Sequence, residues 1–301
     1  MNLNGQYIFL SMRNKAQVLI ISLWILAILA LLSVSIAHRV SLGLRLSRYQ
    51  KERLKAAYLA KAGINIAIAE IEKDKNEFSA DTKVVDEESK IDINTAPQEL
   101  LSELLNTMGA ANPLELANNI CAWRGDTGVA IPDYQVLGYG NKGKKFSNIE
   151  ELMLVKDFTG DIYNSIKEFV TVYPQDGESR ININTAPRTV LEILMNTYVK
   201  RLQERNIPIE NPQGLLEAII NFRNNGGIFT DENIDSILEK LSAEQKNILN
   251  DPVDGLKNKI TVKSDYFLIV SEGKINTVKL KHVIECVFDR QNNKIVFWHE
   301  N

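Results

Sequence analysis

The sequence holds little of what metal, redox or hydrolytic centres are made from. Two cysteines, Cys121 and Cys286, and three histidines, His38, His282 and His299, are all that 301 residues supply. The cysteines lie far apart and form no CxxC pair, so the spacing encodes neither a zinc site nor a disulfide framework. Two buried thiols are the reading this pattern favours. No phosphate-binding loop, HExxH or GxSxG occurs, which removes the signatures of those nucleotide, metalloprotease and serine-hydrolase chemistries, and catalysis is not expected. The acidic run Asp86, Glu87 and Glu88 reads as a solvated charged face rather than as acid–base machinery. An excess of positive charge is missing too: 35 Lys and Arg stand against 38 Asp and Glu, for a formal net charge of −3. A dedicated nucleic-acid binder shows a basic surface, and here only a local patch could supply one. With 45% hydrophobic and 24% charged residues, the composition is that of an ordinary globular protein. Its length suits two or three small domains, or one domain with an insertion.

No charge interrupts residues 17–37, QVLIISLWILAILALLSVSIA, which follow a leader ending Arg13-Asn14-Lys15-Ala16. About twenty apolar residues, rising roughly 1.5 Å each, cover the roughly 30 Å hydrocarbon layer of a bilayer. A cleaved secretory signal has a shorter apolar core followed by an A-x-A site, and neither is present. The segment reads as a membrane anchor. Between His38 and Glu72 there is no proline, and Gly43 and Gly63 are the only glycines. Val40, Leu44, Leu46, Leu54, Tyr58, Ala62, Ile66 and Ala69 recur mostly three or four apart, as on one helix face. Anchor and stalk are therefore predicted as one helix of about 55 residues, roughly 80 Å long. A rod of that length cannot bury itself in one small domain, so its first half needs lipid or neighbouring helices. Charge counting opposes the simplest topology. Arg13 and Lys15 precede the run, whereas Arg39, Arg45, Arg48, Lys51, Arg53 and Lys55 follow it, and the positive-inside rule places the richer side in the cytoplasm.

Residues 91–97, IDINTAP, return at 181–187 as ININTAP, each ahead of a leucine-rich run. The I-x-I-N alternation suggests a short extended piece. Asn94 or Thr95 in the first copy, and Asn184 or Thr185 in the second, are expected to cap a helix. Its first turn would carry Pro97 or Pro187, where a missing N–H costs nothing. The parallel continues: residues 117–125 (ANNICAWRG) resemble 216–224 (LEAIINFRN), and 146–155 (FSNIEELMLV) resemble 229–237 (FTDENIDSI). Phe, then Ser or Thr, then acidic residues is another helix start. The reading is an internal repeat of small helical units. From Ile260 the period drops to two. Residues 266–275, 279–290 and 294–300 read as an antiparallel meander, with Asn292-Asn293 at its second turn, able to pack on the C-terminal half of the long helix. His282 and His299 fall on strand faces, and the polar stretch 81–90 reads as the loop between stalk and first strand.

A tandem of this kind resembles the competence-type DNA receptors, in which N-I-N-T-A, leucines, an aromatic-Arg helix and a Phe-led helix recur. DNA-binding helix-hairpin-helix units need a Gly-x-Gly hairpin, which lets backbone N–H groups approach a phosphate. The first copy has Gly109 alone, in TMGAA at 107–111, and the second has no glycine between Asn196 and Asn211. Cations that could grip phosphate are missing beside the first hairpin and present at the second as Lys200, Arg201 and Arg205. No nucleic-acid partner is expected. A membrane-tethered helix-hairpin-helix DNA receptor stands as the alternative.

A short basic leader, a small residue (Ala16) and an uncharged helix running into an amphipathic one resemble the N-terminus of type IV pilin-like proteins. CAWRGD at 121–126, FSNIEELMLV at 146–155, Tyr163, FVTVY at 169–173 and ININTAP follow in order, and the chain finishes apolar-Trp-x-Glu at Phe297 to Glu300. Together these resemble the K-type minor pseudopilins of type II secretion. The resemblance implies an α+β fold with a long N-terminal transmembrane and stalk helix, a pilin-like antiparallel sheet, and a large inserted helical domain of helix-hairpin-helix or SAM-like repeats. It divides the chain into a leader (1–16), the transmembrane and stalk helix (17–75), the start of the pilin-like domain (76–93), the helical insert (94–255) and the C-terminal meander (256–301).

It further implies cleavage between Ala16 and Gln17 by prepilin peptidase, with methylation, although the family usually has glycine before the cut. Met12 is a second candidate start. Most pilins carry a glutamate at the fifth mature position, held to neutralise the N-terminus of the adjoining subunit. Here that position is Ile21, matching the K-type exception assigned to the fibre tip. Fibre assembly would then rest on apolar packing through Val18, Leu19, Ile20 and Ile21 onward. The implied partners are the I- and J-type minor pseudopilins, the major pseudopilin, prepilin peptidase and the bacterial inner membrane, crossed once with the C-terminal domain in the periplasm. Some members hold calcium in an acidic loop after the tryptophan helix. The loop here offers Asp126 and Asp133, with Glu150 and Glu151 further on, but Lys142, Lys144 and Lys145 add positive charge. A solvated loop is favoured over a calcium site, which wants six to eight oxygens. No other cofactor is implied.

Overall fold

The computed structural model describes residues 4–73, 81–175, 177, 179–207, 209, 213–234, 246, 248, 250–251, 255–276 and 279–301, with side chains from residue 17 onward. The chain forms two compact units. One comprises Met1–Gly63, Glu272–Val283 and Asn301, and the other Ile64–Ser271 and Ile284–Glu300.

Helix α1 (Asn4–Glu72) has 69 residues and spans roughly 100 Å. It begins earlier than the apolar pattern predicts because nothing in the leader breaks a helix, so residues 4–16 continue the same hydrogen-bond ladder. In the first unit Ala56 and Ala60, one turn apart, are fully buried. Gly273 lies against them: a Cβ there would come 1.8 Å from the carbonyl oxygen of Ala56. Only a residue without a side chain permits so close an approach of strand to helix.

The main sheet has the order β1-β6-β7-β8. Strand β1 (Thr82–Asp86) runs antiparallel to β6 (Tyr266–Ile275), with Val84 opposite Ile269. Strand β7 (Leu280–Asp289) runs antiparallel to β8 (Lys294–Glu300), with a bulge at Val287/Phe288. The three C-terminal strands match the period-two reading. The stretch 81–90 does not match the loop expected of it. Thr82-Lys83-Val84-Val85-Asp86 is a strand whose partner lies at the far end of the sequence, where no local pattern can reveal it.

Between β1 and β6 in sequence come α2 (Gln98–Thr107), α3 (Pro113–Arg124), α4 (Gly160–Ile166), α5 (Arg188–Glu204) and α6 (Gln213–Asn224). Leu100, Leu101, Leu104 and Leu105 bury one face of α2, which packs on α3 and α5. One apolar core runs through both copies, from Ile91 to Ile260. Gly109, at φ +79°, turns the chain from α2 toward α3. Gly125, at φ +89°, ends α3 where a Cβ would meet the Gly143 carbonyl at 2.7 Å. Four two-residue strands complete the unit: β2 (Ile91–Asp92) pairs in parallel with β3 (Val170–Thr171), and β4 (Ile181–Asn182) with β5 (Ile260–Thr261). Cys121 and Cys286 are both buried and free.

Candidate functional site

Two regions carry the features singled out above: the bare apolar part of α1 and the duplicated NTAP unit. Every described side chain from Gln17 to Ala37 is exposed, and Val18, Leu19, Ile20 and Ile21 are each more than half exposed. The Ser22 and Ser33 hydroxyls donate to the carbonyls of Leu19 and Leu29, each at 2.8 Å, so these two hydroxyls are satisfied within the helix, as lipid favours. Among the described residues this is the one helix long and apolar enough to cross a membrane, with a mean hydropathy of 2.8 and none of that window buried. The Ala16–Gln17 bond lies inside α1, and Ile21 sits one turn beyond it with no charge nearby in sequence.

The NTAP phrases have a different role from the one their sequence suggests. Neither Asn94 nor Thr95 caps α2, and neither Asn184 nor Thr185 caps α5. Pro97 and Pro187 are the N-cap residues, and no side chain bonds at either helix start. A tight turn intervenes, in which the Ala96 N–H donates to the Asp92 carbonyl and the Ala186 N–H to that of Asn182, each at 2.9 Å. The turn leaves each asparagine amide free to act as a hub. Asn94 Nδ2 donates to the carbonyls of Phe146 (3.0 Å) and Val172 (3.3 Å), and its Oδ1 accepts the Phe146 N–H at 2.7 Å. Asn184 repeats this with the carbonyls of Phe229 (2.8 Å) and Val262 (3.0 Å) and the Phe229 N–H (2.8 Å). Each amide thus joins three chain segments. The arginines of the parallel helices complete each unit: Arg124 Nη1 donates to the Ile93 carbonyl at 2.6 Å and Arg223 Nη1 to that of Ala186 at 2.8 Å. Sequence reasoning missed Phe146, Val172, Phe229 and Val262 as hub partners. A signal was present in the triplets VTV at 170–172 and ITV at 260–262, each ending in the residue its asparagine holds.

The copies differ in where they find a carboxylate. Asp92 accepts the Asn94 N–H at 2.9 Å and the Thr95 hydroxyl at 2.7 Å within its own turn. Burial, opposed by those two bonds, raises its pKa to about 6. The second copy has Asn182 in that place. Its Nδ2 donates to Asp86 at 3.1 Å, and the Thr185 hydroxyl also donates to Asp86. Ser264, beyond β5, adds a donor at 2.6 Å.

Asp86 opens the acidic run expected to be solvated. Instead, each of its three carboxylates serves a different element. Glu87 is buried, accepting the Thr171 hydroxyl of the first copy and pairing with Lys90, both at 2.5 Å. Glu88 accepts the N–H groups of Asp265 and Tyr266, where β6 begins. Burial raises its pKa to about 7, with Asp86 and Asp265 adding to the rise and the two N–H bonds opposing it. Burial of this run follows from the strand pairing of β1, which a local charge count cannot register.

Calcium does not fit Asp126 and Asp133 as arranged. Arg124 already holds both oxygens of Asp126, at 2.8 and 2.6 Å, while Asp133 accepts the Gln135 N–H at 2.9 Å. Among the described residues no three His, Cys, Asp or Glu side chains gather as a metal site would need. The cations of the second hairpin are likewise engaged by carboxylates: Lys200 with Glu103 at 2.5 Å, Arg201 with Glu99 at 2.9 Å and Arg205 with Asp251 at 2.6 Å. The first two of these pairs tie α5 to α2, so cations that could have faced phosphate face the neighbouring copy. The last turn of the second hairpin and the end of the helix expected after Thr230 fall in part outside the described residues.

Residues 76–175 match the family model for type II secretion system (T2SS) protein K, a stretch holding β1, the acidic run and the whole first copy through β3. The chain also resembles the crystal structure of the GspK-GspI-GspJ complex from the type 2 secretion system of enterotoxigenic Escherichia coli. The TM-score is 0.58 and the identity 16%, over 85% of this chain and 99% of that one. At that identity the likeness is one of fold. No curated protein matches the sequence.

Proposed function

We propose that this chain is a K-type minor pseudopilin: a non-enzymatic, single-pass subunit that helps to form or start the tip of a type II secretion pseudopilus. The observation that carries the reading is the match to protein K at 76–175 following a helix whose residues 17–37 are uncharged and exposed. Such a helix is stable only in lipid or among similar helices, and fibre assembly moves it from the one to the other. Prepilin peptidase would cut between Ala16 and Gln17, leaving Gln17 as the first residue and Ile21 as the fifth. A subunit with isoleucine there offers no carboxylate to a neighbour's N-terminus, which suits a position with no subunit beyond it. The I- and J-type minor pseudopilins and the major pseudopilin would be its neighbours, with the repeats and sheet on the periplasmic side of the inner membrane. The fold shared with the GspK chain supports the first of these partnerships.

Sequencing the N-terminus of the chain made with and without a prepilin peptidase tests this directly. Gln17 as the first residue is expected with the enzyme, and an intact leader in both samples would sink the proposal. The DNA-receptor reading has a separate test, because it needs salt-dependent DNA binding by the chain. None is expected even at low salt, since Lys200, Arg201 and Arg205 already face carboxylates.

A further inference from the structure

One stretch of the second copy holds chemistry that the function proposed above does not use. Helix α6 runs out into Asn224-Asn225-Gly226-Gly227. Outside the leader, which holds Asn4-Gly5, Asn225-Gly226 is the one place in the chain where glycine follows asparagine. Without a side chain, glycine leaves its own backbone nitrogen open to the preceding side-chain amide. Asn225 is exposed, and among the described residues no hydrogen bond holds its amide. Gly226 stands at φ +79°, with nothing within 4 Å of the place a Cβ would take. Its N–H donates to the Arg223 carbonyl at 3.0 Å, a single bond at an exposed helix end, where opening costs little. We infer that Asn225 modifies itself: its side-chain amide is lost to the Gly226 nitrogen, and the product loosens the second hub while sparing the first.

Base takes the Gly226 amide proton as the nitrogen attacks Asn225 Cγ. An N–Cγ bond forms, the Cγ–Nδ2 bond breaks, and Nδ2 leaves as ammonia with a proton returned to it, closing a cyclic imide. Water then opens the ring at either carbonyl. The product is aspartate or, with the main chain routed through the side-chain carbon, isoaspartate. One water enters and one ammonia departs, and nothing is oxidised or reduced. The second hub is exposed to this change because the link beside it is tight. Residues 224–228 alone separate Arg223 from Phe229, and both ends belong to the hub. Arg223 Nη1 donates to the Ala186 carbonyl at 2.8 Å, and Phe229 exchanges two backbone bonds with the Asn184 amide. The Phe222 and Phe229 rings lie 4.6 Å apart, and a Cβ on Gly227 would come 2.5 Å from the Phe222 ring. Isoaspartate adds a backbone carbon and a negative charge inside this link. In the first copy Arg124 is followed by Gly125 and Asp126, with no asparagine at that place, and residues 125–145 lie between it and Phe146.

The test ages the full chain in neutral detergent, in mildly acidic and mildly alkaline buffer, beside Asn225→Gln and Asn225→Asp. The wild type's tryptic peptide 224–240 should gain about 1 Da, faster in alkali, and separate into aspartate and isoaspartate forms with fragment masses placing the change at 225. Asn225→Gln should stay unmodified there. Amide hydrogen exchange of the aged wild type should quicken about tenfold at 184–186 and at 229 and hold steady at 94–96. Asn225→Asp, which has the charge without the longer backbone, should exchange like the fresh wild type. No mass gain, a gain at Asn224 or Asn233 instead, or a gain only once the chain is unfolded overturns the site. Modification at Asn225 with exchange unchanged overturns its hold on the second hub. None of these outcomes bears on the pseudopilin reading.

Discussion

The two NTAP units are built to one plan and anchored in two ways. In each, an asparagine amide holds a phenylalanine's backbone on both sides and a valine carbonyl from the closing strand. The asparagine and its valine are 78 residues apart in both copies, whereas asparagine and phenylalanine are 52 apart in the first and 45 in the second. The loop inside the unit is free to change length, and the strand that closes it is not. The first copy completes its turn with its own Asp92. The second has Asn182 there and borrows Asp86 from β1. The Asn182 amide still accepts the Asn184 N–H at 2.9 Å, as Asp92 does for Asn94, but the threonine hydroxyl has moved to Asp86, which fastens the second copy to β1.

Breaking the hubs should cost the most. Asn94→Ala leaves the Phe146 N–H and the Phe146 and Val172 carbonyls short of a buried partner. A loss of about 3 kcal/mol is expected in denaturant unfolding of the full chain in detergent. Asn184→Ala should cost nearly as much, about 2 kcal/mol given its partial exposure. A negligible loss in either copy would break the equivalence of the two.

Next comes the borrowed carboxylate. Asp86→Ala should cost about 2 kcal/mol and speed amide hydrogen exchange around 184–186 while sparing 94–96. Asp92→Asn, which converts the first copy toward the second, keeps an acceptor for the Asn94 N–H and should cost less than about 1 kcal/mol. Equal exchange in both turns after Asp86→Ala would mean that the second copy is not held by β1.

The acidic run also sets a pH dependence. Glu88 and Asp92 titrate above their ordinary values when folded, so the folded chain keeps their protons longer than the unfolded one. Their contribution to stability is full below about pH 4 and is lost as pH rises toward about 6 for Asp92 and about 7 for Glu88. Glu88→Gln keeps an acceptor for the Asp265 and Tyr266 N–H groups and removes the titration. Its melting temperature should exceed the wild type's at pH 7 and converge with it near pH 4.5. A variant less stable at both pH values would show that the ionised carboxylate is the form the corner needs. Smallest of all, Lys200→Ala and Arg201→Ala remove exposed ion pairs between α5 and α2 and should each cost less than about 1 kcal/mol.

What the sequence revealed and what it hid divide along contact distance. The long apolar N-terminal helix and the three C-terminal strands were legible because uncharged runs and periods of 3.6 and two are local properties. The duplication was legible as well, but its chemistry was misassigned. Asn94 and Asn184 looked like helix caps because caps are the local use of asparagine before a helix, and the proline after each turn took that position instead. Their true partners are remote in sequence, marked only by the VTV and ITV triplets. The acidic run was misread for the same reason: three carboxylates in a row look solvated until β1 finds β6.

That run has a consequence for how this protein can vary. Asp86, Glu87 and Glu88 each meet a different element, and no residue is spare between them. A single inserted residue there would hand every carboxylate to the wrong neighbour at once, whereas the loop between Asn94 and Phe146 already differs in length from its twin without harm. Natural variants of this chain should therefore accept insertions and tags around 135–138, where the side chains are exposed, and almost none at 86–88. A peptide tag placed in the first stretch is the way to label the molecule without disturbing it.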